Sequence, residues 1–395
     1  MVIQPFEFQT NRRLVFGPGK LNILPYLVKN FNDDILVITG VRTFSANPNI
    51  QHVIDMVKLS GKKVFLEKIH GEPSPGQVDT IVAAYVNKDI GLIVAIGGGS
   101  AVDTGKAVSA MLPAGESVVN YLEGIGTKKH DGQKIPFIAI PTTAGTGSEA
   151  TKNAVLSEIA EDGYKCSLRH DNFIPDIALI DPLLTINCTQ EVTAAGGLDA
   201  FTQLLESYVS PKASPITDAL AFSGMKMIKN AMITAYSTGN DEMARTAMAY
   251  GAYISGITLS NAGLGLVHGF ASSIGGILHI PHGVICGTLL GACTEETIKA
   301  LFANGQSEYL DKYAGTGFLL NGYETTVKNE NQRLEGCELL IKTIGLWIRK
   351  MNIPLLGQYG LQERHIDLVV NGTDNKSNPV ILSKEIIKKI LLKRI

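Results

Sequence analysis

Short apolar runs alternate with amphipathic stretches over the first half of the chain. The runs lie at residues 35–38 (ILVI), 92–96 (LIVAI) and 137–140 (FIAI), and strands that are buried on both faces have this continuous pattern. Between the runs, residues 50–60 and 78–87 repeat apolar residues at helical spacing. Strands that alternate with helices predict right-handed crossovers and a doubly wound, Rossmann-like parallel sheet.

The amino-terminal segment has a different pattern. Apolar and polar residues alternate around Phe6 and Phe8 and again around Leu14 and Phe16, and a Gly-Pro-Gly turn follows at residues 17–19. Two alternating stretches of this kind predict a β-hairpin at the edge of the sheet, within residues 1–18.

The pattern changes after the Asp-Pro pair at residues 181–182. Strand patterns nearly disappear and long helical repeats take over. We place the domain boundary near residue 185, which gives an α/β domain at residues 1–185 and an all-α domain at residues 186–395. The last helical stretch, residues 384–395, is basic and amphipathic, and docking on the protein explains it better than a membrane surface does.

Charge and cysteine content limit the partners. The 395 residues carry 35 Lys and Arg against 37 Asp and Glu, for a net charge of −2. Because no basic stripe stands out, we expect no nucleic-acid partner. The five cysteines are scattered without metal or disulfide spacing, and we see no signal peptide, so we expect a reducing cytoplasm. The most apolar stretch, residues 254–292, contains histidines and many glycines, so we expect no membrane span.

Two turns rich in glycine and hydroxyl residues follow predicted strands. At residues 97–100 (GGGS), glycines let the backbone approach phosphate oxygens, and the N–H groups of the next helix favour an anion. Residues 141–149 (PTTAGTGSE) bring hydroxyls to the same edge of the sheet. The GxGxxG fingerprint is absent, and tight turns with Ser or Thr helix caps are the alternative explanation. The pair of turns favours a ligand crevice at this edge.

The stretch at residues 196–283 carries residues with metal-binding chemistry. Asp199 and Gln203 lie four apart on a predicted helix, so they share one face. A glycine-rich apolar stretch farther on contains His268 and His282. A carboxylate, an amide oxygen and two imidazoles are suitable donors for a divalent metal. Each residue also has a purely structural explanation. In that explanation, Asp199 offsets the dipole at the start of its helix, Gln203 faces solvent, and the histidines pack in the core.

Six motifs along the chain are specific enough to indicate a family. They are FGPGKL (16–21), AIGGGSAVDTGKA (95–107), PTTAGTGSEAT (141–151), GGLDAFTQLLESYVS (196–210), SNAGLGLVHG (260–269) and IPHG (280–283). In order and spacing they resemble the iron-containing alcohol dehydrogenase family over nearly the whole chain. The resemblance implies a nucleotide-binding domain at residues 1–185, a helical metal- and substrate-binding domain at residues 186–395, and a cleft between them.

The resemblance also implies the ligands of that cleft, which are NAD and one divalent ion, Fe²⁺ or Zn²⁺. The matching cofactor positions are Gly98, Gly99 and Ser100 at the pyrophosphate, Thr142 and Thr143 along the cofactor, Lys165 at the ribose and Asp103 near the nicotinamide. The matching metal positions are Asp199, Gln203, His268 and His282. Of these four, the aspartate and the two histidines are the expected catalytic residues.

Three positions depart from the family's pattern. Gln203 stands where the family usually has His, and because an amide oxygen is a weaker and harder donor, we expect lower metal affinity and a move from iron toward zinc. Ser272 stands where many relatives have a further His that faces the substrate, and it is no base near neutral pH. Gly40 stands where many NAD-preferring relatives have an Asp, whose carboxylate repels the 2′-phosphate of NADP. With glycine at this position, the sequence is compatible with NADP as well as NAD.

The sequence therefore predicts a metal-dependent oxidoreductase that moves a hydride between NAD(P) and a primary alcohol or its aldehyde. We expect Asn153, Leu259, Ser272, His279 and Asp374 to line the substrate pocket. Three alternatives remain open. They are oxidation of the terminal alcohol of a sugar acid of the 3-deoxy-octulosonate type in the lipopolysaccharide pathway, a lyase like dehydroquinate synthase, and a metal-poor relative without catalysis. We also expect a cytoplasmic homodimer.

Overall fold

The computed structural model describes residues 4–31, 34–59, 61–160 and 163–395. The strands are β1 (Arg13–Phe16), β2 (Asp34–Gly40), β3 (Val64–Ile69), β4 (Ile90–Gly97), β5 (Phe137–Pro141), β6 (Asn153–Glu158), β7 (Tyr164–Arg169) and β8 (Ile177–Ile180). Six of them form a parallel sheet in the order β1-β8-β5-β4-β2-β3, and β6 and β7 form a separate antiparallel pair. The helices of this half are α1 (Leu24–Leu27), α2 (Val41–Ala46), α3 (Pro48–Lys58), α4 (Pro75–Tyr85) and α5 (Gly99–Ala114).

Helices cover both faces of the sheet, because its central strands bury side chains in both directions. Along β2, Leu36 and Ile38 pack into a core that includes α4 and α5. The alternating residues Ile35 and Val37 pack into a second core that includes α1 and α3. Burial on both faces explains why the strand is a continuous apolar run. The predicted doubly wound α/β fold is confirmed.

The predicted amino-terminal hairpin is wrong. Among residues 4–18, only residues 13–16 form a strand, and that strand pairs in parallel with β8. Residues 1–3 of the predicted hairpin lie outside the described residues. The alternation of Leu14 and Phe16 indicates a strand correctly, but the partner strand begins at Ile177, far along the chain. A local pattern does not identify so distant a partner.

Helices α3 and α4 are recovered, each starting earlier than predicted at a proline that follows a capping residue. The side chain of Asn47 accepts a hydrogen bond from the backbone N–H of Asn49, and that of Ser74 from the N–H of Gln77. Such caps satisfy N–H groups that the helix leaves free, and proline is favoured just after them. The predicted end of α3, Ser60, lies outside the described residues.

Beyond β8 the described residues form helices, which confirms the predicted helical carboxyl-terminal part. No helix among the described residues combines the length and apolar character that crossing a bilayer requires. The helices are α6 (Gln190–Tyr208), α7 (Pro215–Ser237), α8 (Glu242–Ala262), α9 (Leu266–Gly275), α10 (His282–Ala303), α11 (Ser307–Leu320), α12 (Glu330–Lys350), α13 (Ile366–Gly372) and α14 (Lys384–Leu392).

Helix α6 is the centre of the helical half. Leu198, Phe201 and Leu204, which repeat at helical spacing, are fully buried. They share one core with Ala178 and Ile180 of β8, so helices pack directly against the sheet. Because this core joins the two halves, the division at residue 185 stays a prediction.

Close contacts between glycines hold the turn after β5 against the helices. A Cβ on Gly145 would lie 2.8 Å from the Cα of Gly196 in α6. Gly147 has a φ of 62°, and a Cβ there would lie 2.5 Å from the Cα of Gly256 in α8. A side chain at these positions would push the turn away from both helices. The glycines therefore bring this edge of the sheet against the helical half.

Candidate functional site

The carboxyl edge of the sheet has a crevice where the strand order reverses. Strand β3 pairs with one side of β2, whereas β4 pairs with its other side. Gly40 ends β2 and Gly97 ends β4, and a Cβ built on Gly97 would lie 3.5 Å from the backbone N of Gly40. Ligands of open α/β sheets bind outside such a reversal point. This edge is therefore the expected place for a nucleotide.

The first glycine turn leads directly from β4 into α5. Gly98 is extended there, with φ −68° and ψ −177°, and no side chain caps the helix. The N–H groups of the first helical turn are therefore available to an anion. A Cβ on Gly99 would lie 2.8 Å from side-chain atoms of Thr146, whereas a Cβ on Gly98 would lie 3.5 Å from Thr143. The two predicted turns pack against each other and leave no room for a side chain at Gly99.

A cavity of about 1150 Å³ extends from these turns into the helical half. The predicted cofactor residues in its lining are Gly98, Gly99, Ser100, Asp103, Thr143 and Lys165. Gly40 and Thr142 are outside this lining, and the backbone N–H of Thr142 donates to the carbonyl of Gly97 at 2.9 Å. Lys165 comes from β7, in a hairpin that the sequence analysis did not predict.

Four of the five predicted substrate-pocket residues line the same cavity. They are Asn153, Leu259, Ser272 and Asp374. His279 is solvent-exposed and outside the lining. The ammonium of Lys376, a residue with a left-handed backbone at φ 49°, donates to Ser272 Oγ at 3.0 Å. A cation therefore stands beside Ser272 at the cavity wall.

Helices α6, α9 and α10 bring four possible metal ligands together, and we call them the ligand cluster. Its members are Asp199, His268, His282 and Cys286, whose ligand atoms all lie within 4.8 Å of one another. Asp199 Oδ1 is 3.4 Å from Nε2 of His268 and 3.7 Å from Nε2 of His282. This buried oxygen has no hydrogen-bond partner in the described part of the chain. Because an unpartnered buried carboxylate oxygen is costly, the cluster fits a divalent cation of borderline softness.

Gln203 lies one turn after Asp199, is buried and lines the cavity. Its Oε1 accepts a hydrogen bond from Ser255 Oγ at 2.6 Å. Since an amide oxygen has two lone pairs, ligation by Gln203 stays a prediction. Cys286 is the cluster member that the sequence analysis missed, although the spacing of four residues from His282 on a helix was available as a signal.

Glu206 is a second residue that the sequence analysis missed. Its Oε2 is 2.6 Å from Nδ1 of His268, and its Oε1 accepts the N–H of Val267 at 2.7 Å. The first contact holds the imidazole so that Nε2 faces the cluster, as carboxylates behind metal-binding histidines do. The second places a negative charge at the start of α9, where it offsets the helix dipole. The signal was its position two helical turns after Asp199.

Protonation in the cluster follows from burial and neighbouring charge. Burial raises the pKa of Asp199, but His282 and His268 outweigh it, so the pKa lies below its ordinary value. Burial lowers the pKa of His282. Burial also acts to lower the pKa of His268, but Cys286 and two neighbouring carboxylates raise it well above its ordinary value. Burial raises the pKa of the Cys286 thiol to about 12. A metal would displace a proton from His268 and from Cys286 on binding.

A buried polar network fixes the second turn to α5. Lys106 is fully buried, and its Nζ donates to the carbonyl of Ser148 at 2.8 Å, to Thr151 Oγ1 at 2.7 Å and to the carbonyl of Asn153 at 2.7 Å. Burial lowers the pKa of Lys106 to about 8. Its Nζ is 3.9 Å from Oδ1 of Asp103, which faces the cavity. The network therefore shapes one wall of the cavity.

Comparison with known proteins places nearly the whole chain in one family. Residues 11–182 match the model for iron-containing alcohol dehydrogenase, and residues 193–395 match the model for the carboxyl-terminal part of that family. The chain is 31% identical to alcohol dehydrogenase 4 of Saccharomyces cerevisiae over 386 residues, 96% of this chain and 95% of that protein. It is 38% identical to long-chain-alcohol dehydrogenase 1 of Geobacillus thermodenitrificans over 318 residues, 76% of this chain and 79% of that protein. Its fold matches 1,3-propanediol oxidoreductase with a TM-score of 0.88 and 26% identity, over 99% of this chain and 100% of that one. The chain therefore belongs to the iron-containing alcohol dehydrogenase family, whose members are alcohol and aldehyde oxidoreductases.

Proposed function

We propose that this chain is a metal-dependent oxidoreductase that interconverts a primary alcohol and its aldehyde with NAD(P). One observation carries the proposal. The unpartnered oxygen of Asp199 belongs to a ligand cluster that borders the same cavity as the glycine turn at residues 97–100. Hydride transfer requires the alcohol carbon and the nicotinamide to be held together in one enclosed space. A single cavity that joins the two sites supports this chemistry.

Asp199, His268 and His282 would hold a divalent ion, with Fe²⁺ and Zn²⁺ as the candidates that the family favours. When bound, the ion supplies the Lewis acidity that favours loss of the alcohol proton. The protein prepares its ligands beforehand. Glu206 fixes Nδ1 of His268, so Nε2 points toward Asp199, and both of these side chains are almost fully buried. Rigid ligands of this kind keep the substrate oxygen in one place relative to the cofactor.

NAD or NADP would lie along the carboxyl edge of the sheet. The uncapped start of α5 supports binding of the pyrophosphate by Gly98, Gly99 and Ser100. Asp103 and Lys165 border the cavity on the way to the ligand cluster, and we assign them to the nicotinamide end and the ribose. For Gly40, Thr142 and Thr143 we propose contacts along the cofactor, at the ends of the strands that flank the crevice.

Simple primary alcohols are the first substrate class we propose. One observation favours the sugar-acid alternative as a second candidate. The ammonium of Lys376 contacts Ser272, one helical turn from His268, so a cation lies within reach of the ligand cluster. A carboxylate on the substrate would pair with that ammonium at moderate cost in desolvation, because Lys376 is exposed.

The assay measures reduction of the cofactor under controlled metal loading. Protein stripped with a chelator is reloaded with Fe²⁺ without oxygen, or with Zn²⁺, and mixed with NAD or NADP and a panel of primary alcohols and sugar acids. We expect reduced cofactor to accumulate with at least one primary alcohol, and only after metal is returned. Conversion of substrate without accumulation of reduced cofactor would favour the alternative of a lyase like dehydroquinate synthase, because such a lyase recycles its NAD. Failure of the protein to retain metal or turn over any substrate would favour the metal-poor relative.

Cofactor preference should depend on Gly40. A Cβ at this position would meet Thr43 Oγ1 at 3.4 Å, so an aspartate fits with little strain. We expect Gly40→Asp to lower kcat/KM with NADP relative to NAD by at least about tenfold, or about 1.4 kcal/mol, because the carboxylate repels a 2′-phosphate. The neutral isostere Gly40→Asn is the matched control and should leave the ratio close to that of the unmodified protein. An equal ratio in all three proteins would place Gly40 away from the ribose.

The homodimer, the domain boundary near residue 185 and the cytoplasmic location remain predictions. Light scattering tests the first. Limited proteolysis tests the second, because cleavage near residue 185 would release two folded fragments if the halves are separable domains.

A further inference from the structure

The ligand cluster contains one donor that the family's pattern does not supply. We propose that the Cys286 thiolate is the fourth metal ligand of this chain, giving a set of one aspartate, two histidines and one cysteine. The inference rests on the proposed metal site. It assigns to Cys286 the place that the sequence analysis gave to Gln203.

The distances within the cluster support tetrahedral binding. Sγ of Cys286 is 3.7 Å from Nε2 of His268 and 3.7 Å from Nε2 of His282. Asp199 Oδ1 is 3.4 Å and 3.7 Å from the same two nitrogens. Donors at about 2.0–2.3 Å from a tetrahedral zinc ion stand about 3.3–3.8 Å from one another. Four of the six edges of a ligand tetrahedron are therefore already at the required length.

The position of Cys286 on α10 explains how the thiol reaches the cluster. His282 is the first residue of the helix, and Cys286 follows one turn later on the same face. The thiol contacts Nε2 of His268 and Nε2 of His282, which are both members of the cluster. A buried cysteine is often only a small apolar side chain. Cys293 on the same helix is such a residue, since it is equally buried and lies outside the cluster.

The environment of Gln203 points the same way. Its Oε1 already accepts a hydrogen bond from Ser255 Oγ at 2.6 Å, so this buried amide oxygen is satisfied without a metal. A thiolate is anionic and soft, whereas an amide is neutral and hard, so the cysteine is the stronger donor for a zinc ion and compensates for the imidazole that the family usually has at position 203. Binding breaks the S–H bond, and the proton leaves to solvent.

X-ray absorption at the zinc edge tests this assignment on the full-length protein loaded with Zn²⁺. We expect one sulfur neighbour at about 2.3 Å in the unmodified protein and in the control Cys293→Ser. Cys286→Ser should lose the sulfur signal and lower zinc affinity, measured against a competing chelator, by at least about 100-fold, beyond the usual effect of residues behind the ligands. Cys286→Ala serves if the serine variant does not fold. When the proteins are loaded with Co²⁺, the thiolate-to-metal charge-transfer absorption should be present in the unmodified protein and absent from Cys286→Ser.

Gln203→Ala separates the two possible fourth donors. We expect it to retain the sulfur signal and most of the zinc affinity. A zinc site without sulfur in the unmodified protein, or equal zinc affinity in Cys286→Ser and Cys293→Ser, would overturn the assignment. In either case, retention of zinc and alcohol oxidation by the unmodified protein would leave the proposed function standing. A protein that binds no metal at all would remove both.

Discussion

Asp199→Asn should lower kcat/KM for alcohol oxidation by at least about 10³-fold, or about 4 kcal/mol, which is the scale of Lewis-acid stabilisation by a bound metal. The substitution keeps the shape of the side chain and removes its charge. Asp199 Oδ1 is buried, lacks a hydrogen-bond partner among the described residues and faces both imidazoles, so we place it among the metal ligands. Metal content, measured by mass spectrometry after dialysis, should fall together with activity.

The control for this variant is Asp218→Asn. Asp218, on α7, is partly buried and lies outside the cavity lining. Its carboxylate pairs with the ammonium of Lys312 at 2.8 Å. Its neutralisation should leave metal content and kcat/KM unchanged. Full activity and full metal content in Asp199→Asn would show that the ligand cluster is not the metal site.

Gly99→Val should lower the affinity for NAD at least about 100-fold, or about 2.7 kcal/mol. Even the first carbon of a side chain at Gly99 would lie 2.8 Å from the Thr146 side chain, so the two turns would have to separate. Their separation would displace the N–H groups at the start of α5 and bring an apolar side chain to the proposed pyrophosphate site. Calorimetric titration with NAD measures the effect.

A check of folding and a second variant keep this test interpretable. Metal content and the melting curve show whether Gly99→Val is folded. Ser100→Ala is a smaller change in the same turn, and we expect a loss of about 10-fold or more, because a hydrogen bond to a charged group contributes about 1.5–3 kcal/mol. Unchanged NAD affinity in both folded variants would show that the cofactor does not bind at this turn.

The fold was predictable where local pattern and burial agree. The apolar runs at residues 35–38 and 92–96 are buried on both faces, so their sequence alone indicates parallel strands. The prediction of an amino-terminal hairpin was wrong, because β1 pairs with the distant β8, and alternation of apolar and polar residues does not specify so distant a partner. The β6–β7 hairpin was missed as well. It contributes Lys165 to the cavity, and the position of that residue was available only through the family resemblance.

The cavity was predictable in outline and not in its detail. The sequence analysis grouped Asp199, His268 and His282, and the structure places their ligand atoms in one cluster. The five cysteines lack paired-cysteine spacing, and the i, i+4 relation of Cys286 to His282 is a weaker signal, which the structure identifies as part of the cluster. The helical spacing of Glu206 from Asp199 predicts a shared face, but its contacts with Val267 and His268 depend on how α6 crosses the start of α9.

The most direct test of the proposed function follows the hydrogen itself. Metal-loaded protein is incubated with NAD(P) and a primary alcohol that carries deuterium at both hydrogens of its reacting carbon. We predict that one deuterium per turnover appears at C4 of the reduced nicotinamide and that the other stays in the aldehyde, as mass spectrometry of both products would show. Conversion of the alcohol with no deuterium in the cofactor would contradict hydride transfer in this cavity, and with it the proposed dehydrogenase reaction.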